Sequence, residues 1–429
     1  MLQTMRNAWK TEDIRRKILF TLFVILIYRL GNAVPVPYVN IDALGSYFDT
    51  MQNTIFGMLN VMSGGAFSNA TIFALSIQPY INASIIIQLL GIAFPKLGNL
   101  SKEGGEEGKK KIAAITRYTT VGIGLLQGFA YYMMIKGYGF LTTDGQSLWA
   151  AIVIILTFTS GSALIMWLGE QITEFGIGNG ISIILFASIV SRFPTDVYNM
   201  ISSAAKGTTP VWVTALMLLG ALAMIVLIVL INDSERRIPV QYAKRVVGRK
   251  MYGGQSTHLP MKVNMSGVLP IIFASALVSI PGTIGSFLQI DQQAHPVWYA
   301  FFHTFNYTSW LYVVIYLLLI LAFNYFYVAI QYNPVEIANN LRRNNGSIPG
   351  FRPGKPTSDF ITRTLNKITL IGAIFLAAVA VLPIILGNLT GMSIQLGGTS
   401  LLIVVGVALD TTRSLDSFMT MRNHKGFLG

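Results

Sequence analysis

Ten apolar runs divide this chain. Each is about as long as a helix must be to cross a bilayer, roughly 20 residues. They cover residues 18–36, 71–94, 112–135, 149–168, 180–197, 211–231, 267–288, 310–332, 368–386 and 398–415. Hydrocarbon offers backbone N–H and C=O groups no hydrogen bonds, so such runs must pair their own backbones as helices. Only 11% of the residues are charged, where a soluble protein carries about 25%. The expected fold class is therefore an all-α polytopic membrane protein of ten transmembrane helices. An even number of spans puts both termini on one side.

One span is written as two unequal pieces. Phe56, Gly57, Met58, Leu59, Asn60, Val61, Met62, Ser63, Gly64, Gly65, Ala66 and Phe67 form an apolar stretch about half the length of a span, broken near its end by Ser63-Gly64-Gly65. A polar hinge, Ser68-Asn69-Ala70, follows, and a full span is expected from Thr71 to Phe94 with Pro79 inside it. A short broken helix at membrane depth is tolerated only where protein covers it or a cavity adjoins it, so it points to a pathway.

Lysine and arginine set the orientation. They crowd into the N-terminal leader, into the stretches after spans 2, 6 and 8, and into the C-terminus. The alternate loops hold only Lys136, Arg192 and Lys206, so both termini are expected in the cytoplasm. Residues 1–17 read as an amphipathic cytosolic leader, with no small-residue cleavage site after the first apolar run. Segments 18–205 and 206–417 are then two five-span halves, and 418–429 is a cytoplasmic tail. Two basic loops, 232–263 and 333–367, exceed any topological need and suggest docking of a cytosolic partner, beside their attraction to anionic lipid. The first has strand-like stretches. The second opens helically at Asn333-Pro334 and contains a turn that presents Arg352.

Span 2 contains Pro79-Tyr80-Ile81-Asn82-Ala83-Ser84 and span 7 contains Pro270-Ile271-Ile272-Phe273-Ala274-Ser275, both P-x-I-x-A-S. Each lies in the second span of its half. An odd number of spans per half forces opposite topology, an inverted repeat whose working site is expected between the halves near the midplane.

Ile77, Ile81 and Ile85 recur every four residues on one helix face. Ile181 and Leu185 do the same at the start of span 5; Ile272 and Ile403 lie near the starts of spans 7 and 10. Periodicity alone does not separate a pore face from a lipid face. Spans 2, 5, 7 and 10 show no charge in mid-membrane; Asp410 and Arg413 fall at the cytoplasmic end of span 10. Ion-coupled transporters place ionisable groups at depth, so a secondary transporter is the disfavoured alternative, and a structural assembly subunit is a second one. An apolar constriction closes a pore by dewetting. Gln88 and the serines are placed to bond weakly between helices.

Chemistry is sparse. There is no cysteine, and the four histidines are not at ligand spacing on one helix. Gly176–Gly180 precedes a membrane span, not a βα unit, and the prolines in GFRPGKPT spoil a phosphate cradle. No catalytic residue, metal site or cofactor is expected.

At these residues the chain resembles the SecY family, the channel-forming subunits of the bacterial Sec translocase. The resemblance rests on SGGAFSNATIFALSIQPYINASIIIQLL, MWLGEQITEFGIGNGISIILFA, RRIPVQYAKR, QSTHLPMKVNMSGVLPIIFAS, IPGFRPGKPT and GGTSLLIVVGVALD, which span nearly the whole chain in order. It implies an hourglass in which residues 56–67 are a plug. It implies an apolar pore ring of Ile77, Ile81, Ile181, Leu185, Ile272 and Ile403, with Leu185 in place of a frequent isoleucine. Spans 2 and 7 would form a lateral gate carrying Asn82, Ser84, Ile85, Gln88, Ser275 and Leu277. Arg236, Arg237, Lys244, Arg245, Arg249, Lys250, Arg352 and Lys355 would dock the SecA motor ATPase or the ribosome. SecE and SecG subunits are implied as partners, and unfolded preproteins with their signal peptides as substrates.

Overall fold

The computed structural model describes residues 9–50, 55–102, 105–207, 210–242, 245–247, 250–252, 256–288, 296–305, 309–390 and 398–425. Helices occur at every position where a span is expected. In chain order they are α1 (Glu12–Gly31), α2 (Ile41–Thr50), α3 (Ile55–Met62), α4 (Gln78–Ala93), α5 (Pro95–Lys102), α6 (Gly105–Gly137), α7 (Leu148–Phe175), α8 (Gly180–Ala205), α9 (Val211–Asp233), α10 (Leu269–Leu288), α11 (Pro296–Thr304), α12 (Trp310–Gln331), α13 (Pro334–Arg343), α14 (Lys355–Thr390) and α15 (Gly398–Lys425). Among the described residues, five helical runs are long and apolar enough to cross a membrane: Leu148–Phe175, Gly180–Ala205, Val211–Asp233, Trp310–Arg343 and Lys355–Gly387.

The order of neighbours repeats. α6 packs between α4 and α7; in the second half α12 packs between α10 and α14. The α4 and α10 helices, which carry the repeated hexapeptide, touch each other where the halves meet.

Span 2 departs from expectation. Residues 71–77 are not helical, and α4 starts only at Gln78. Two features cause this. Pro79 sits in the first turn of α4, where its missing N–H costs nothing. Upstream, Ala70 and Ser76 have positive φ, which a helix does not allow. The seven residues are instead held by α1's exit: Val36 N donates to Ala70 O at 2.9 Å and Ile72 N to Val34 O at 3.0 Å. They also press on α7, where a Cβ on Gly161 would lie 1.8 Å from Ile72 O. Only glycine permits that approach.

The two basic loops merge into one body. β1 (Glu235–Tyr242) and β4 (Ser256–Lys262) form an antiparallel hairpin that encloses the short pair β2 (Arg245–Val247) and β3 (Lys250–Tyr252). β5 (Gly346–Ser347), from the second loop, pairs with the other edge of β1. Ile238, Val240 and Met261 on the sheet bury against Ala338 and Leu341 of α13 and against Ile361 and Leu365 of α14. The second loop is also shorter than expected, because α14 already begins at Lys355. Asn333 caps α13 by accepting from the N–H groups of Val335 and Glu336.

Candidate functional site: an apolar ring closed by a short helix

The α3 helix ends at Met62, and the rest of the stretch, through Phe67, is a series of turns. Gly64 and Gly65 have φ of 68° and 89°, values that glycine adopts without strain. Side chains knit the turns: Ser63 Oγ accepts from Phe67 N at 3.0 Å, and Asn60 Oδ1 accepts from Ser68 N at 3.0 Å.

This unit has two faces. On one, Phe67 stacks on Phe56 (centroids 6.0 Å) and on Tyr131 (4.5 Å), while Phe48 meets both phenylalanines edge-on. The Tyr131 hydroxyl, fully buried, donates to Phe67 O. These rings belong to a core that also includes Val36, Val39 and Leu44. On the other face, Met62 and Ala66 belong to the same buried cluster as Ile77, Ile81, Leu185, Ile272 and Ile403, and Ile181 packs partly buried against it. The six residues of the expected ring, from near four helix starts, thus all belong to or pack against the buried cluster that also holds Met62 and Ala66. Ile77 is not in α4 but at its N-cap, and its carbonyl accepts from Ile81 N, so the four-residue spacing survives.

The main-chain seat of this unit is polar. Ser63 O accepts from Tyr28 OH at 3.4 Å and from Asn32 Nδ2 at 3.3 Å. Tyr28 OH also lies 2.6 Å from Ser188 Oγ, a contact in which either hydroxyl can donate. Gln78 Nε2 reaches Met62 Sδ at 3.1 Å. Sequence reasoning missed Tyr28, Asn32, Ser188 and Tyr131. They come from three helices distant in sequence, and no period links them.

Charge lies closer to this unit than the loop assignment of Arg192 implies. Arg192 lies inside α8, not in a loop, because α8 continues through Pro194 to Ala205. A Cβ on Gly65 would lie 3.5 Å from an Arg192 nitrogen, and one on Gly64 would lie 3.0 Å from Arg29 Nη1. Two guanidinium groups therefore stand beside the C-terminal end of α3, where a helix favours positive charge. Asp196, buried within electrostatic reach of Arg192, compensates part of it. The charge-free interior expected for span 5 ends at Arg192.

Along the α4–α10 seam, Ile85 is buried in the ring cluster, and Asn82 and Ser84 are half-buried. Gln88 is exposed and accepts from Tyr327 OH at 2.6 Å. That partner is on α12, beside α10, rather than on α10 itself. Ser84 accepts from Gln88 Nε2 within α4, and Ser275 bonds Ile272 O within α10. The serines therefore do not bridge the helices; a short side chain reaches its own preceding turn more easily. Leu277 is largely exposed.

Of the docking residues, Arg236, Arg237, Arg352 and Lys355 are exposed, and Arg237 pairs with Glu235 at 2.7 Å. The Arg352 turn is rigidly held: Thr357 Oγ1 donates to Arg352 O at 2.8 Å, and the Phe351 and Phe360 rings lie 4.3 Å apart. Arg245 and Lys250 lie on β2 and β3. Lys244 and Arg249 lie outside the described residues. No group of His, Asp and Glu able to hold a metal occurs among the described residues.

Comparisons with known proteins agree with this arrangement. The SecY family model matches residues 71–412. The chain is 43% identical over 438 residues to protein translocase subunit SecY of Halalkalibacterium halodurans, covering 100% of both chains. It is likewise 43% identical over 438 residues to that of Bacillus subtilis. Its fold matches a solved protein-conducting channel with a TM-score of 0.65 at 17% identity, over 94% of this chain and 91% of that one. Sec61 from the canine ribosome–channel complex of the endoplasmic reticulum matches with a TM-score of 0.62 at 16% identity, again over 94% and 91%. With a family model covering most of the chain and full-length relatives of this identity, the chain belongs to the SecY family of protein translocase subunits.

Proposed function

We propose that the chain is a protein-conducting channel that admits unfolded polypeptide through the apolar ring and releases hydrophobic segments sideways between α4 and α10. The observation that supports this reading is the buried cluster that joins Met62 and Ala66 of the short, separately held segment to apolar residues near the starts of α4, α8, α10 and α15. At rest the ring excludes water and ions, and the plug covers it. In transit the plug moves aside and the ring closes around the polypeptide as a gasket. A hydrophobic signal then leaves through the seam because burial in lipid is favourable, by about 0.8 kcal/mol per CH₂. The Gln88–Tyr327 bond is the polar contact that such opening breaks.

The channel supplies no energy and catalyses no reaction in this reading; a motor ATPase of the SecA type or a ribosome drives it. The exposed, rigid Arg352 turn and the basic sheet beside it form the docking surface, on the side that holds both termini. That side is the cytoplasm by the distribution of lysine and arginine, and the membrane is the bacterial plasma membrane. SecE- and SecG-type subunits complete the complex. The residues bearing each role are those of the ring, the plug and the seam described above, in two inverted five-span halves.

The test is photocrosslinking from residue 81. A photoreactive amino acid in place of Ile81 should capture a stalled secretory chain inside the membrane. A secondary transporter or an assembly scaffold would give no such product, and its absence with a stalled substrate present would refute the channel reading.

A further inference from the structure

The connection between α10 and α12 holds a helix that the channel reading leaves without a role. α11 reads PVWYAFFHT and carries no formal charge. The next cation after Lys262 is Arg342, and the only acids between them are Asp291 and Glu336. α11 nonetheless shows its large apolar side chains: Val297 is 77% exposed, Trp298 59% and Phe301 49%. A soluble protein would hide such a face. Its inner side is fixed, since Phe302 packs so closely on α10 that a Cβ on Gly285 would lie 2.5 Å from Phe302 Cβ.

Connectivity says what covers the outer side. α10 leaves the basic sheet at its N-terminus and α12 returns to it at its C-terminus, so α11 lies at the opposite end of both. The neighbouring helix ends are apolar and open as well. Ile280 and Ile284 on α10, and Trp310, Leu311 and Val314 on α12, are all exposed. α12 itself is long and apolar enough to span. Exposed tryptophans stand at 298 and 310, the residue type of the aromatic belts where amphipathic rings sit among headgroups. The lack of cations excludes attraction to anionic lipid as the basis of binding.

We propose that α11 is an interfacial anchor, lying in the headgroup–acyl boundary of the membrane face opposite the basic sheet with Val297, Trp298 and Phe301 in lipid. Through Phe302 on Gly285 it ties the end of α10 to a fixed depth. The bearing of this anchor on gating rests on the gate reading above; the anchor itself does not.

The chain has no cysteine, so single-cysteine variants carry a nitroxide at one chosen place. The variants are Trp298→Cys, Val297→Cys (which keeps the tryptophan), Val314→Cys as a lipid reference and Asn344→Cys as a water reference. The translocase complex is reconstituted in phosphatidylcholine vesicles. Relaxation of each label by oxygen, which concentrates in lipid, is compared with relaxation by a water-soluble nickel chelate. The expected ratio of oxygen to nickel effect is highest at 314, intermediate at 297 and 298, and lowest at 344. Ratios at 297 and 298 equal to that at 344 would place α11 in water and overturn the anchor. Labels at both positions that are immobilised and shielded from both reagents would mean a protein partner, and would overturn it equally. Neither result bears on whether residue 81 crosslinks a substrate.

Discussion

Removing the polar seat of the plug should open the resting channel by a calculable amount. The perturbation is Tyr28→Phe combined with Asn32→Ala. Phenylalanine keeps the ring, so its stack on Phe73, at 5.7 Å between centroids, survives. What is lost on the plug is both donors to Ser63 O, at 3.4 and 3.3 Å. Bonds this long belong at the weak end of the range, about 0.5 kcal/mol each, so the closed state loses roughly 1 kcal/mol. At 1.4 kcal/mol per tenfold, the open fraction should rise about fivefold. The bond to Ser188, at 2.6 Å, joins α1 to α8 and not to the plug; its loss costs fold stability and leaves the ratio of plug states alone. The assay is open probability of single reconstituted channels, with melting temperature measured in parallel. An open probability unchanged within twofold, in channels that melt at a lower temperature, would refute the reasoning: the Tyr28 and Asn32 contacts would then hold the scaffold only.

Three other outcomes follow from the same geometry. Ile81, Ile181 and Ile272 replaced together by Gly should let resting channels conduct ions, and a channel that stays tight would refute the ring assignment. Gly161→Ala should destabilise by about 1–3 kcal/mol through overpacking, because its Cβ would meet Ile72 O at 1.8 Å; a wild-type melting temperature would contradict it. Arg352→Glu should abolish motor-driven translocation at normal channel levels, since the turn is held by Thr357 and Phe360 whatever its charge; full-rate translocation would remove Arg352 from the docking surface.

A period of four, a broken span and a repeated hexapeptide are legible in the sequence; reading them as a ring, a plug and a gate rests on the family resemblance. Those signals are local, and a local physical cause stands behind each: one face of a helix, a left-handed glycine pair, a proline at a helix start. The start of α4 shows where local signals end. Residues 71–77 are apolar enough to read as membrane helix, yet Ile72 N bonds Val34 O and their space is cut by Gly161. Nothing within that segment encodes a partner more than thirty residues away.

The amino-acid sequence alone determined that this chain lives in a membrane and where one of its apolar runs is broken. Hydrocarbon and positive-inside rules act on composition, one segment at a time. The tertiary structure alone decided what holds residues 63–68, that Gln88 answers to Tyr327, that Arg192 stands beside Gly65, and that two basic loops form one sheet. Each of these is a contact between segments far apart in the chain, where the energy depends on distance in space and leaves no spacing to read.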